Sequence, residues 1–244
     1  MTDWAALVPL KQGVESKSRL RDALEPAERM ALASAMAARV MTCLSKVDAI
    51  NSLYCLAPTV VPEWPSHWLP DSGGGLNPEL EGARAQLGNR PLLVIHADLP
   101  HLTVEDVQVL LAAANDCGCA FAPDRHGRGT NAVAIRDADP FRFAFGQDSL
   151  MSHRQQRPAA AIVERASLGF DVDTPADLAE LQDISRQGKT EILTCAFLPK
   201  ERCGRNDPGH SARQSENQGG SVDETERGRA QQHACCGDDA SLGI

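Results

Sequence analysis

No apolar run in the 244 residues approaches the ~20 needed to cross a bilayer, and Met1 to Lys11 lack the basic-then-apolar order of a signal peptide. The expectation is a cytoplasmic chain with no membrane partner. Nor is there an excess of cations. A formal net charge of −9 and a pI near 5.2 speak against a broad footprint for nucleic acid or anionic lipid, so any phosphate chemistry must rely on a few placed cations. Internal repeats are absent. The eight cysteines show no disulfide framework: Cys43, Cys55, Cys117, Cys119 and Cys195 are scattered through apolar stretches and read as small core or near-surface residues. What is left, 42% hydrophobic and 23% charged, is the composition of a soluble globular chain able to bury its own core. A homodimer is compatible with the sequence and not required by it.

The body alternates short apolar runs with helix-like segments, the pattern of an α/β protein with a largely parallel sheet flanked by helices. A first strand is expected over Trp4 to Leu10. Pro26 and Glu28 then open a helix whose Ala33, Met36, Ala37, Val40, Met41, Leu44 and Val47 recur at helical spacing. A strand near Ser52 to Ala57 is followed by residues 58 to 76, rich in Pro, Gly and Trp and without periodicity, which read as one long loop. Asn77 and Pro78 read as the cap and first turn of a short helix ending near Gly88.

The nearly continuous apolar run at 91 to 96 reads as a strand buried on both faces, ending at Asp98. Thr103 with Asp106 caps a helix carrying Val107, Leu110, Leu111 and Ala114. Further strands are expected at Cys119 to Ala122, Ala132 to Ile135 and Ala160 to Val163, and Thr174-Pro175-Ala176-Asp177 opens another capped helix. Residues 1–199 form one domain on this reading. From about Lys200 polar residues dominate, with Val222, Leu242 and Ile244 the only large aliphatic ones, so residues 200–244 are expected to be a disordered tail. Its Cys203, His210, His233, Cys235 and Cys236 match no standard zinc spacing.

In an open parallel sheet, ligands bind where strands end at their carboxyl side, and four polar clusters fall there. The turn after the first strand holds Lys11, Ser16, Lys17, Ser18 and Arg19, cations and hydroxyls suited to a triphosphate; a solvated basic loop is the alternative. Asp98 follows the most hydrophobic strand. Asp171 and Asp173 alternate along an extended segment and so face one side, where two carboxylates could share one or two hard cations such as magnesium; alternatively Asp173 merely precedes a helix cap. The glycine-bearing stretches 73–77, 124–131 and 145–153 let backbone approach a ligand, or serve as plain turns.

The ordered series Val8-Pro9-Leu10-Lys11 with Ser16-Lys17-Ser18-Arg19-Leu20, Gly73-Gly74-Gly75-Leu76-Asn77, Ala97-Asp98-Leu99-Pro100, Gly127-Arg128-Gly129-Thr130-Asn131, Phe145-Gly146-x-x-Ser149-x-x-x-His153 and Asp171-Val172-Asp173-Thr174-Pro175-Ala176-Asp177-Leu178 resembles the 2-phospho-L-lactate guanylyltransferase family over about residues 4 to 185. The resemblance implies a Rossmann-like nucleotidyltransferase fold, related to molybdenum-cofactor guanylyltransferases. It also implies Mg2+ as cofactor and transfer of GMP from GTP to 2-phospholactate, phosphoenolpyruvate or 3-phosphoglycerate, in synthesis of the deazaflavin coenzyme factor 420. By the same resemblance Lys11 and Lys17 contact phosphates, with Asp98 completing the catalytic set. Gly74, Gly75 and Asn77 seat the nucleotide, while Asp98, Asp171 and Asp173 bind the metal. Thr130, Gly146 and Ser149 hold the acceptor acid. For His153 two readings stand, acceptor contact or a brace for its loop.

The stretch Ala57 to Asp71, with Trp64, His67 and Trp68, departs from the family pattern, as does the tail. Two rivals are a relative serving another phosphorylated acceptor and a catalytically silent nucleotide-binding scaffold. Against the first stands the opening turn, which lacks the dense glycine loop of those relatives; against the second stand the three acidic positions.

Overall fold

The computed structural model describes residues 3–13, 16–62, 64, 66–88 and 90–187. The polar tail and its Cys and His residues lie outside the described residues, as does Cys195. Elements run β1 (Trp4–Pro9), a 3-10 turn (Ser18–Leu20), α1 (Pro26–Leu44), β2 (Ile50–Ala57), β3 (His67–Pro70), α2 (Leu76–Leu87), β4 (Leu92–Ile95) and α3 (Val104–Cys117). There follow β5 (Cys119–Pro123), β6 (Thr130–Ile135), α4 (Ser149–Gln156), β7 (Ala161–Ile162), α5 (Ala166–Gly169) and α6 (Pro175–Arg186).

The seven strands order as β3-β2-β1-β4-β6-β5-β7. β6 is antiparallel to β4 and β5, and every other pairing is parallel, as the alternating pattern predicts. Side chains alternate across the pleat, so each strand feeds two cores. Trp4, Ala6 and Val8 of β1 join Leu93 and Ile95 of β4 beneath α1 and α3, through Val40, Leu44, Val107, Leu110 and Ala114. Ala5 and Leu7 join Leu92, Val94 and Phe121 on the other face, under Leu80 of α2, Phe141, Phe143, Phe145 and Leu150 of α4. A third cluster, Leu20, Leu32, Met36, Phe170, Val172, Leu178 and Leu181, fastens the turn after β1 and the start of α1 to α6.

Helix starts follow local chemistry. Glu25 and Glu28 close a reciprocal capping box at α1 with Pro26 at its first position, and Thr174 and Asp177 do the same at α6. Two expectations need correction. The stretch read as a continuous loop contains β3, which pairs in parallel with β2 from Tyr54↔His67 to Ala57↔Pro70. It is a four-residue edge strand with mostly exposed side chains, so no buried face imposes alternation, and an edge accommodates Pro70. Helix α2 starts two residues earlier than expected, capped by Gly75 at φ 100° rather than by Asn77, whose amide is engaged elsewhere. Because Leu93 is fully buried at the centre of the sheet, Leu93→Ala should lower the unfolding free energy by about 2–5 kcal/mol. A shifted urea midpoint at unchanged slope would register it.

Candidate active site

Adjacent parallel strands β1 and β4, in register from Ala5↔Leu92 to Leu7↔Val94, deliver their following turns to one edge of the sheet. The chain leaves β1 toward β2 on one side while β4 lies on the other, a switch point at which a crevice opens. A cleft of about 530 Å3 sits there, bounded by Lys11, Lys17, Arg19, Gly73, Gly75, Leu76, His96, Asp98 and Asp173. Ser16, buried, closes the first turn by donating from Oγ to the Lys11 carbonyl at 2.5 Å.

Lys17 is the hinge of the site. It adopts a left-handed backbone (φ 51°, ψ 42°), and its Nζ donates to Asp98 Oδ2 at 2.5 Å and Asp173 Oδ1 at 2.9 Å. Arg19, largely exposed, reaches the other Asp173 oxygen at 3.1 Å. Asp98, Asp171 and Asp173 each offer an oxygen within 4.8 Å of the others. Burial opposes the charge on Asp98, but the Lys17 ammonium, His96 and the Lys17 hydrogen bond outweigh it and hold its carboxyl below the usual range. Burial also works against the Lys17 ammonium, and the charges of Asp98 and Asp173 reverse that, so its pKa is raised. Asp171 moves the other way: burial, then the charges of Asp98 and Asp173, push its pKa up.

Three residues that were not among the expected site residues hold this cluster in place. Asn131, buried, donates from Nδ2 to the Leu168 carbonyl at 2.9 Å and to Asp171 Oδ1 at 3.4 Å. Asp177 accepts from the backbone N–H of Asp173 at 3.0 Å and of Thr174 at 2.7 Å, while its other oxygen pairs with Arg125. The signal for Asp177 was present as the third residue of a capping box; Arg125, 52 residues away, gave none.

Gly74 and Asn77 do not border the cleft. The Gly74 and Ser72 N–H groups donate to Glu79 Oε1 at 2.9 and 3.0 Å, so a first-turn carboxylate of α2 shapes the glycine loop. Asn77 makes a two-way pair with the Phe145 backbone, Nδ2 to O at 3.0 Å and N to Oδ1 at 2.8 Å. Thr130, Ser149 and His153 form a second cluster, all buried, with Gly146 (φ 129°) at the head of α4. It adjoins the cleft through His96, whose N–H donates to Asn131 O at 2.9 Å and whose ring lies 5.0 Å from Phe145.

His153 is fully buried, and both ring nitrogens are engaged. The Ala144 N–H donates to Nε2 at 3.0 Å, which assigns the proton to Nδ1, 3.0 Å from Thr130 Oγ1. Its ring packs among Phe121, Phe141 and Phe145. Of the two readings of His153, this geometry is that of a brace.

The chain matches a solved structure from Desulfovibrio desulfuricans G20, assigned to the nucleotide-diphospho-sugar transferases. The TM-score is 0.61 at 16% identity, covering 80% of this chain and 94% of that one. That likeness shows the fold; fold and family match together make the chain a nucleotidyltransferase. Within that class it belongs to the CofC-like guanylyl transferase family, whose model matches residues 4–192. Curated relatives include the phosphoenolpyruvate guanylyltransferases of Sphaerobacter thermophilus, 36% identical over 72% of this chain and 91% of the relative, and of Chloroflexus aurantiacus, 35% identical over 74% and 90%.

Burial, with a smaller contribution from His96, lowers the His153 pKa from 6.5 to about 4. The unfolded chain therefore binds the proton at higher pH than the native one. The stabilisation of the neutral ring is complete above pH 6.5 and is lost as pH falls toward 4, about 3 kcal/mol in all. His153→Gln should flatten that part of the stability-versus-pH curve relative to wild type, measured by urea unfolding between pH 4 and 7.

Proposed function

We propose that the chain passes GMP from GTP to the phosphate of a phosphorylated three-carbon acid, in the pathway to the deazaflavin coenzyme. The observation that carries this reading is the clustering of Asp98, Asp171 and Asp173, two of which, Asp98 and Asp173, line the strand-end cleft and pair with Lys17. Family membership supports guanylyl transfer, and the names of the curated relatives favour phosphoenolpyruvate over 2-phospholactate and 3-phosphoglycerate.

The three carboxylates suit Mg2+. They are hard oxygen donors in one cluster, and Asp98 Oδ1 is buried without a hydrogen-bond partner, a lone pair set available to a cation. Bound there, the ion would supply charge neutralisation on the reacting phosphates. The acceptor's phosphate oxygen, already anionic at neutral pH, forms a bond to the α-phosphorus of GTP. The bond from that phosphorus to the bridging oxygen breaks, and pyrophosphate leaves with its electron pair. No general base is needed, so rate comes from positioning and charge. Lys11 and Lys17 line the cleft where the triphosphate would lie. Thr130, Ser149 and the backbone at Gly146 would supply neutral donors to the acceptor, with His153 orienting the Thr130 hydroxyl.

Pyrophosphate release measured with GTP and ATP against the three acids should show turnover with GTP, greatest with phosphoenolpyruvate. Silence across the whole panel would sink the reading. Asp173→Ala should lower turnover by roughly 10²–10³-fold while the circular dichroism spectrum and melting temperature stay near wild type. Undiminished transfer by the folded variant would remove Asp173 from the site.

A further inference from the structure

We infer that Lys17 is a placeholder cation, holding Asp98 and Asp173 at the spacing a divalent ion requires and yielding that position when ion and nucleotide enter together. The inference rests on the metal role proposed above for the three carboxylates. Its geometric basis is that Lys17 Nζ lies 2.5 Å from Asp98 and 2.9 Å from Asp173, two of the residues whose oxygens cluster within 4.8 Å. A divalent ion bound to the same carboxylates sits ~2 Å from each oxygen. An ion bound through the oxygens that Lys17 now holds would occupy the position of its ammonium, and the two like charges repel.

One ammonium also leaves the cluster undercompensated. It contacts Asp98 and Asp173 but not Asp171, the third carboxylate of the cluster, and Asp98 Oδ1 remains buried without a partner. Asp173 keeps Arg19 at 3.1 Å once Lys17 departs, so that carboxylate is not stranded. The destination of Lys17 is close by: its flexible four-carbon stem already borders the cleft beside Lys11, Ser16 and Ser18. Its left-handed backbone is uncommon for a residue with a side chain; it stands at the head of the 3-10 turn, where its carbonyl accepts from the Leu20 N–H at 2.9 Å.

Displacement couples the two ligands. The ion alone must expel Lys17 into solvent, whereas a nucleotide offers that ammonium a triphosphate, so each ligand strengthens the other by the same factor.

The test is Mn2+ uptake by the full-length protein, followed by electron paramagnetic resonance, with and without a GTP analogue carrying a methylene between the α and β phosphorus atoms. Wild type should bind Mn2+ at least about tenfold more tightly with the analogue. Lys17→Met should bind Mn2+ about tenfold more tightly than wild type without the analogue and gain little from adding it; Lys17→Arg should stay near wild type. If Mn2+ affinity is indifferent to Lys17→Met, the placeholder role fails alone. If no variant takes up Mn2+ under any condition, the metal reading fails with it. Tightened uptake in a protein that transfers no GMP would keep this inference and defeat the functional one. Should Lys17→Met not fold, the wild type with 13C-dimethylated lysines answers the same question. Its Lys17 resonance, assigned by its loss in Lys17→Arg, should move on adding Mg2+ with the analogue, and an unmoved signal overturns the proposal.

Discussion

Three carboxylates drawn from two distant parts of the chain crowd within 4.8 Å, and the fold has to hold them there against their repulsion. A like-charged pair at such a distance costs about 3–4 kcal/mol at an effective dielectric near 20. Several features of the molecule answer that constraint. β1 and β4 are neighbours, which brings Lys17 within reach of Asp98. The α6 capping box spends one Asp177 oxygen on the Asp173 backbone, fixing where that carboxylate emerges. Asn131 meets Asp171 from the antiparallel strand β6. The third core cluster packs the turn after β1 against Val172 and α6, so that Lys17 and Asp173 sit on segments joined by one core.

Much of this arrangement was legible in the sequence because it is local. The alternation of Asp171 and Asp173, the box that follows them and the apolar run ending near Asp98 are patterns within a few residues. The fold class followed from alternating strands and helices in the same way. What could not be read is non-local. Lys17 meets its partners across 81 and 156 positions, and no periodicity encodes such a pair. Its expected contact with phosphates follows from its place after β1, whereas its pairing with two carboxylates could be seen only in the folded chain.

The same distinction explains the errors. β3 was invisible because an exposed edge strand needs no alternation, and Asn77 looked like a cap because caps and cross-chain ties use the same amide. Its tie to the Phe145 backbone became visible only once α2 and the stretch before α4 were seen side by side. His153 carries two readings in the sequence; in the structure its ring is fully buried with both nitrogens engaged, the geometry of a brace.

That burial bears on how the two halves of the site divide their work. The cleft beside β1 concentrates formal charge, with Lys11, Lys17 and Arg19 opposite Asp98 and Asp173. The cluster at the head of α4 is made of hydroxyls, an amide-rich turn and a neutral imidazole set in a row of phenylalanines. Charge is largely indifferent to the shape of what it neutralises, whereas neutral donors in a packed apolar frame respond to where each oxygen lies. On the proposed reading, the charged half would serve the triphosphate common to every turnover and the neutral half would choose the acid. Acids that differ by a hydroxyl, a double bond or the position of one phosphate would then be told apart by the placement of such donors. The packing of Phe121, Phe141 and Phe145 around His153 would set that placement, and residue identities at Thr130, Gly146 and Ser149 leave it unspecified.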